Sequence, residues 1–341
     1  MENKKNNKKI LIIGFIFLLA IAGGLFYVFK DKILSNNNQE VEKKKEATAT
    51  PLLYEVTKND EDTKLYLFGS IHAADDRAYP MQDKIMEAYN SSEYLAVELD
   101  LIALQKDLNM QFELVMSFLC ENGKKLKDYL SPDGYETIIK YMKDNDIYNE
   151  SYEMYRPGLI YSLISNVTVE KSKLDVSKGI DMYFLSEAKN DKKQILEIES
   201  AQMQYNLLVS IPDELYEFII LSYISQENQE VEELVDLYES WLKGNVDDFI
   251  DNNDDLDIDK IKEGLTEEEK IEFDKTLELL NTFNDAMINN RNTDMTDVVD
   301  NYFKEGKNVF VVVGAAHIVG ENGLANELAN LGYNVNLIDY K

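Results

Sequence analysis

Cysteine, histidine and arginine are all scarce in this chain, with one, two and three copies among 341 residues. The single cysteine, Cys120, excludes an internal disulfide, so a folded domain here rests on its apolar core alone. Cys120 sits among Phe118, Leu119 and Leu126 and reads as a small buried apolar residue. Positive charge is also short. Against 35 lysines and arginines stand 64 aspartates and glutamates, a net charge of −29 that excludes a nucleic-acid binder, because phosphate contacts need a basic face. Such an acidic surface suits solubility, a cation-rich surrounding or cationic substrates.

Uncharged stretches are rare as well, with one exception. Residues 10–29 carry no charge, follow Lys4, Lys5, Lys8 and Lys9, and end at Lys30. Twenty helical residues span roughly 30 Å, the hydrocarbon core of a bilayer. The pattern predicts a basic cytoplasmic tail over residues 1–9, a transmembrane helix over 10–29 and a polar linker over 30–50. An extracytoplasmic domain over 51–341 follows, because flanking lysines stay inside. The rival reading is a cleavable signal peptide ending at Ala20-Ile21-Ala22, but the apolar run continues to Phe29. The expected address is therefore the cell membrane, with a single pass.

Both histidines close the same four-residue pattern, Gly69-Ser70-Ile71-His72 and Gly314-Ala315-Ala316-His317. Each pattern follows a strand-like run. Leu65–Phe68, a helix over Met81–Tyr89 and a strand over Tyr94–Leu99 read as a βαβ unit, whose right-handed crossover makes its strands parallel. Gly179-Ile180-Asp181 opens another helical stretch, followed by the strand-like Gln194–Glu199. Asn308–Val313 is a β-branched run suited to a strand buried on both faces, with a helix over Asn322–Leu331 and a last strand over Asn334–Ile338. Asp100–Val176 and Ile211–Tyr302 have helical spacing and predict a cap. The aspartates at 251, 254, 255, 257 and 259 lack the spacing of a calcium loop and read as a solvated acidic segment.

In parallel sheets, ligands gather outside the carboxyl ends of strands, where His72, Glu98, Glu199 and His317 all fall. Two imidazoles and two carboxylates suit zinc, manganese or cobalt. A bound ion would acidify a water, and a nearby carboxylate would take its proton. The plain alternative for each residue alone is a hydrogen-bonded structural role.

Gly-Ser-Ile-His with Val97-Glu98-Leu99, Gly179-Ile180-Asp181, Glu199-Ser200 with Gln204, and the block from Val313-Gly314-Ala315-Ala316-His317 through Leu331-Gly332-Tyr333-Asn334-Val335 together resemble the TraB/GumN (PrgY) family, to which the Tiki metalloproteases are related. The resemblance spans about Leu52 to Asp339. It implies an α/β (α+β) fold with a mixed central sheet, two related βαβ halves and a helical cap. In the Tiki branch it implies a metal-dependent peptidase, with His72, His317 and Glu98 as metal ligands and Glu199 as a further site carboxylate. Arg156, beside Pro157, would orient a substrate carboxylate or stabilise an oxyanion, with an ordinary surface arginine as the alternative.

The sequence thus predicts a membrane-anchored, metal-dependent hydrolase acting on peptides. Two rivals use the same pocket. One is a non-catalytic protein that binds or sequesters a peptide or pheromone; the other is an esterase-like hydrolase.

Overall fold

A computed structural model describes residues 46–58, 62–249, 262 and 266–340. Its centre is a six-stranded sheet of β1 (Leu53–Thr57), β2 (Leu65–Ser70), β3 (Tyr94–Val97), β4 (Gln194–Glu197), β5 (Val309–Gly314) and β6 (Asn334–Leu337), in the order β4-β3-β5-β2-β1-β6. The pairs β2–β5, β5–β3 and β3–β4 are parallel. β1 is antiparallel to both β2 and β6, so it alone runs against the other five described strands. Sequence patterning misses β1 and also the insertion of β5 between β2 and β3, the two ends of the first βαβ unit. β5 can take that central place because Val309 to Val313 are all fully buried. Only an apolar run covered on both faces fits there.

The helices are α1 (Asp83–Ser91), α2 (Leu101–Leu104), α3 (Leu108–Ser117), α4 (Pro132–Asp144), α5 (Pro157–Ser172), α6 (Ile180–Asp191) and α7 (Ala201–Ser210), then α8 (Asp213–Ser225), α9 (Glu227–Lys243), α10 (Glu267–Asn284), α11 (Asn290–Lys304), α12 (Ala315–Ile318) and α13 (Leu324–Asn330). α6 lies on β3, β4 and β5 through Phe184, whose ring meets Phe310 at 4.9 Å and Phe68 at 5.4 Å. Burying these large rings supplies much of the attraction between sheet and helix. α4, α5, α8 and α9 pack on one another as the predicted cap. α9 ties that cap to the sheet where β2 ends: Trp241 Nε1 donates to the Gly69 carbonyl at 2.8 Å, and Tyr238 Oη donates to Asp75 Oδ1 at 2.9 Å.

The expected membrane helix at 10–29, with its basic tail and most of its linker, lies outside the described residues, as does the acidic segment at 251–259. Among the described residues no helix is long and apolar enough to cross a membrane. The expected fold is corrected accordingly. It is a mixed α+β domain with a central sheet and a helical cap, and nothing in it supports a single-pass anchor, a membrane partner or a cell-membrane address.

Candidate ligand-binding site

Because β2, β3, β4 and β5 are parallel, their carboxyl ends open on one edge, which brings His72, Glu98, Glu199 and His317 together. Pairing continues past the strands: Ile198 N–H donates to the Val97 carbonyl at 2.9 Å and Glu199 N–H to that of Glu98 at 3.0 Å. Both glutamates therefore sit side by side, and both are buried.

Between them lies a residue that the sequence reading passes over. Arg291, in the first turn of α11, sends Nε to Glu199 Oε1 at 2.7 Å and Nη2 to Glu98 Oε2 at 2.7 Å and Glu199 Oε2 at 2.6 Å. Its Nη1 donates to the Met287 carbonyl at 3.0 Å and to His317 Nε2 at 2.9 Å. A guanidinium has five N–H donors, and these five contacts use them all. The Met287 carbonyl belongs to a π-helical turn, Asp285–Asn289, just before α11. Such turns are rare and are found frequently at functional sites.

The contacts fix the state of His317. Its Nδ1 lies 2.6 Å from Asn292 Oδ1, an acceptor, so Nδ1 carries the hydrogen and the Nε2 lone pair accepts from Arg291. Burial and the guanidinium push its pKa down to about 3. For Glu98, burial works against ionisation, but Arg291, His317, His72 and the Gly314 N–H outweigh it and hold the pKa at about 2. That N–H donates to Glu98 Oε1 at 2.8 Å.

His72 is arranged differently. Its Nδ1 is 2.7 Å from Asp181 Oδ2, and Ser70 Oγ donates to Asp181 Oδ1 at 2.7 Å. Burial alone would lower its pKa, yet Asp181 and Glu98 raise it above the ordinary value. The negative field at the ring thus outweighs the cost of burying a cation there. Asp181 reaches this position because α6 begins directly under the loop: Ile180 N–H donates to the Ile71 carbonyl at 3.0 Å. A Cβ on Gly179 would lie 2.3 Å from the His72 carbonyl oxygen, so only glycine permits that approach.

The two motif glycines serve different purposes. A Cβ on Gly69 would crowd Ala315 Cα at 3.2 Å, so Gly69 allows α12 to lie against β2. Gly314 has φ −50° and ψ 137°, open to any residue. A Cβ there would meet only ordinary contacts, 3.5 Å from Glu98 Oε1, 3.6 Å from His317 Cδ2 and 4.0 Å from His72 Nε2. Gly314 therefore leaves the centre of the site clear. Gly179→Ala is expected to cost about 1–3 kcal/mol, as overpacking against backbone does, whereas Gly314→Ala costs less than about 0.5 kcal/mol. Urea unfolding of both compares them, and equal stability of the two variants contradicts this account.

Above this centre is a shallow recess, open at its mouth, lined by His72, Gly314 and His317 at its base and by Leu237, Phe249 and Ile288 among its walls. A second, smaller recess adjoins His72, Glu98, Asp181 and Gln204. Gln204 donates to Glu199 Oε2 at 2.8 Å. Arg156 takes no part here. It forms a bidentate pair with Asp213 at 3.0 to 3.2 Å, and no described bond joins it to the cluster.

The four strand-end residues are thus together, but their expected metal role is corrected. Among the described residues no group of three or more His, Cys, Asp or Glu is placed to hold a metal ion. Arg291 explains this, since it takes the His317 lone pair, one Glu98 oxygen and both Glu199 oxygens. The residues do not fit zinc, manganese or cobalt, and the metal-dependent hydrolase falls with that ligand set.

Compared with protein-family models, the chain matches that of the TraB/PrgY/gumN family over residues 52–337. It belongs to that family. No curated protein and no solved structure matches it. This TraB/PrgY/gumN match runs from just before β1 to the end of β6, so it covers the whole described sheet and both histidine motifs.

Proposed function

We propose that this TraB/PrgY/gumN domain is a binding protein, holding a peptide or similar small ligand in the recess above His72, Gly314 and His317 without cutting it. The observation that carries this reading is that most strong polar groups of the site, all but Glu98 Oε1 and His72 Nε2, are committed to one another. All five N–H groups of Arg291 are used, the Gly314 N–H is given to Glu98, and the Ser70 hydroxyl to Asp181. A nucleophile would need Ser70 free, and an oxyanion would need uncommitted donors. Apolar walls with few polar contacts at the base are what a binding pocket requires. The expected relation to the Tiki metalloproteases has no support beyond membership of the TraB/PrgY/gumN family, and no metal chemistry is carried over with it, because Arg291 occupies Glu98, Glu199 and His317.

The esterase-like alternative retains one feature in its favour, the His72–Asp181 pair, in which a carboxylate orients an imidazole. One experiment separates the two. The full chain is incubated with a peptide mixture and with an activated ester, and products and retained ligands are followed by mass spectrometry. Saturable retention of intact peptide supports binding; new peptide termini or ester turnover refutes it. Gly314→Leu is expected to leave the fold intact and to weaken retention at least about tenfold, by filling the recess from its base.

A further inference from the structure

The ionisable groups at the base of the recess do not balance. Three buried carboxylates, on Glu98, Asp181 and Glu199, face one guanidinium, that of Arg291. Negative charge is in excess by at least one whichever form His72 takes. An excess of buried charge is costly unless a partner completes it. Two atoms at the base remain available to such a partner. Glu98 Oε1 accepts only the Gly314 N–H among its described bonds, although a carboxylate oxygen has room for another. His72 is only 8 % exposed, and its Nε2 has no hydrogen-bond partner among the described residues. Both atoms lie within 4.0 Å of the point where a Cβ of Gly314 would stand, so they flank the position that this glycine leaves without a side chain.

We propose that the recess takes a primary ammonium group carried on an apolar body, seated between Glu98 Oε1 and His72 Nε2 over Gly314. This rests on the binding function proposed above and names its ligand class. A small organic cation suits the place where a metal ion does not: Glu98 Oε1 accepts one ammonium N–H, and His72, its Nδ1 hydrogen held by Asp181, offers the Nε2 lone pair to a second once the incoming cation has displaced any proton on that nitrogen. Ile71, Leu237, Phe249 and Ile288 line the recess and would contact the apolar part where it passes toward the mouth. The chain's net charge of −29 draws cations toward it from a distance. A free peptide N-terminus and an alkylamine share this chemistry, and the test distinguishes them.

The full chain is titrated calorimetrically with hexylamine, hexanol and hexanoate, and with tri-leucine bearing a free or an acetylated N-terminus. Hexylamine is expected to bind at least about tenfold more tightly than hexanol, with hexanoate weakest, and Gly314→Leu is expected to remove hexylamine binding. Tighter binding of free tri-leucine than of hexylamine identifies the peptide N-terminus as the source; the reverse order identifies an alkylamine. Hexanoate or hexanol binding as tightly as hexylamine overturns the proposal, as does no binding by any of the five. If acetylated tri-leucine binds as well as the free peptide, the ammonium assignment fails while the binding function stands. Cleavage of tri-leucine with the amine preference intact refutes the binding function alone.

Discussion

Arg291→Met is expected to lower the unfolding free energy by about 3–5 kcal/mol, because it leaves Glu98 and Glu199 buried without their counter-charge. Both side chains are buried, and the one guanidinium contacts both. Methionine approximates the arginine stem in length, so the change is one of charge and hydrogen bonding more than of volume. The loss should be largely recovered by adding Glu98→Gln and Glu199→Gln, which removes the charges left exposed to each other. Arg291→Lys is expected to fall between, since an ammonium has three donors where the site offers five acceptors. Urea unfolding of the four proteins decides the matter. An Arg291→Met variant within about 1 kcal/mol of the parent would mean that the glutamates find other partners, and Arg291 would then be no keystone of the site.

Much of this arrangement is legible in the sequence, and its failures have physical causes. β5 is readable because a continuous β-branched run has one good use, and the convergence of both histidines follows from the carboxyl ends of parallel strands. Glu98 and Glu199 are readable for the same reason. Arg291 is not, because it arrives from a helix nearly a hundred residues after Glu199 and its spacing carries no motif. A signal was nonetheless present: two glutamates at adjacent strand ends require a cation, and only three arginines are available. Reading the carboxylates as metal ligands supplied that cation from outside the chain, whereas the chain supplies its own. Asp181 reads in the sequence as part of a helix opening, but its contact with His72 depends on Gly179 lying against the His72 backbone, an approach set by the tertiary structure. Arg156, placed in the site by its neighbour Pro157, is held instead by Asp213 at the start of α8.

The second large effect expected is on acid stability. His317 titrates at 6.5 when unfolded and at about 3 when folded, so below pH 6.5 the unfolded chain holds a proton that the folded chain refuses. Stability must fall as pH falls across that window, by about 1.4 kcal/mol per pH unit for one such group. His72 does not offset this loss. Its folded pKa is raised, so its contribution is fully present below 6.5 and disappears only as pH rises through the folded value. Glu98 adds a second loss with the same sign, beginning near its unfolded value of 4.5 and continuing to about 2. The unfolding free energy should therefore decline from pH 6.5 and decline more steeply below 4.5. His317→Gln tests the assignment, because a glutamine can donate to Asn292 and accept from Arg291 without titrating. Urea unfolding between about pH 6.5 and 4.5 should show the slope reduced by about 1.4 kcal/mol per unit in the variant. If parent and variant share the same slope, the proton is not being refused at His317, and the neutral imidazole accepting from Arg291 is the part of the site that must be redrawn.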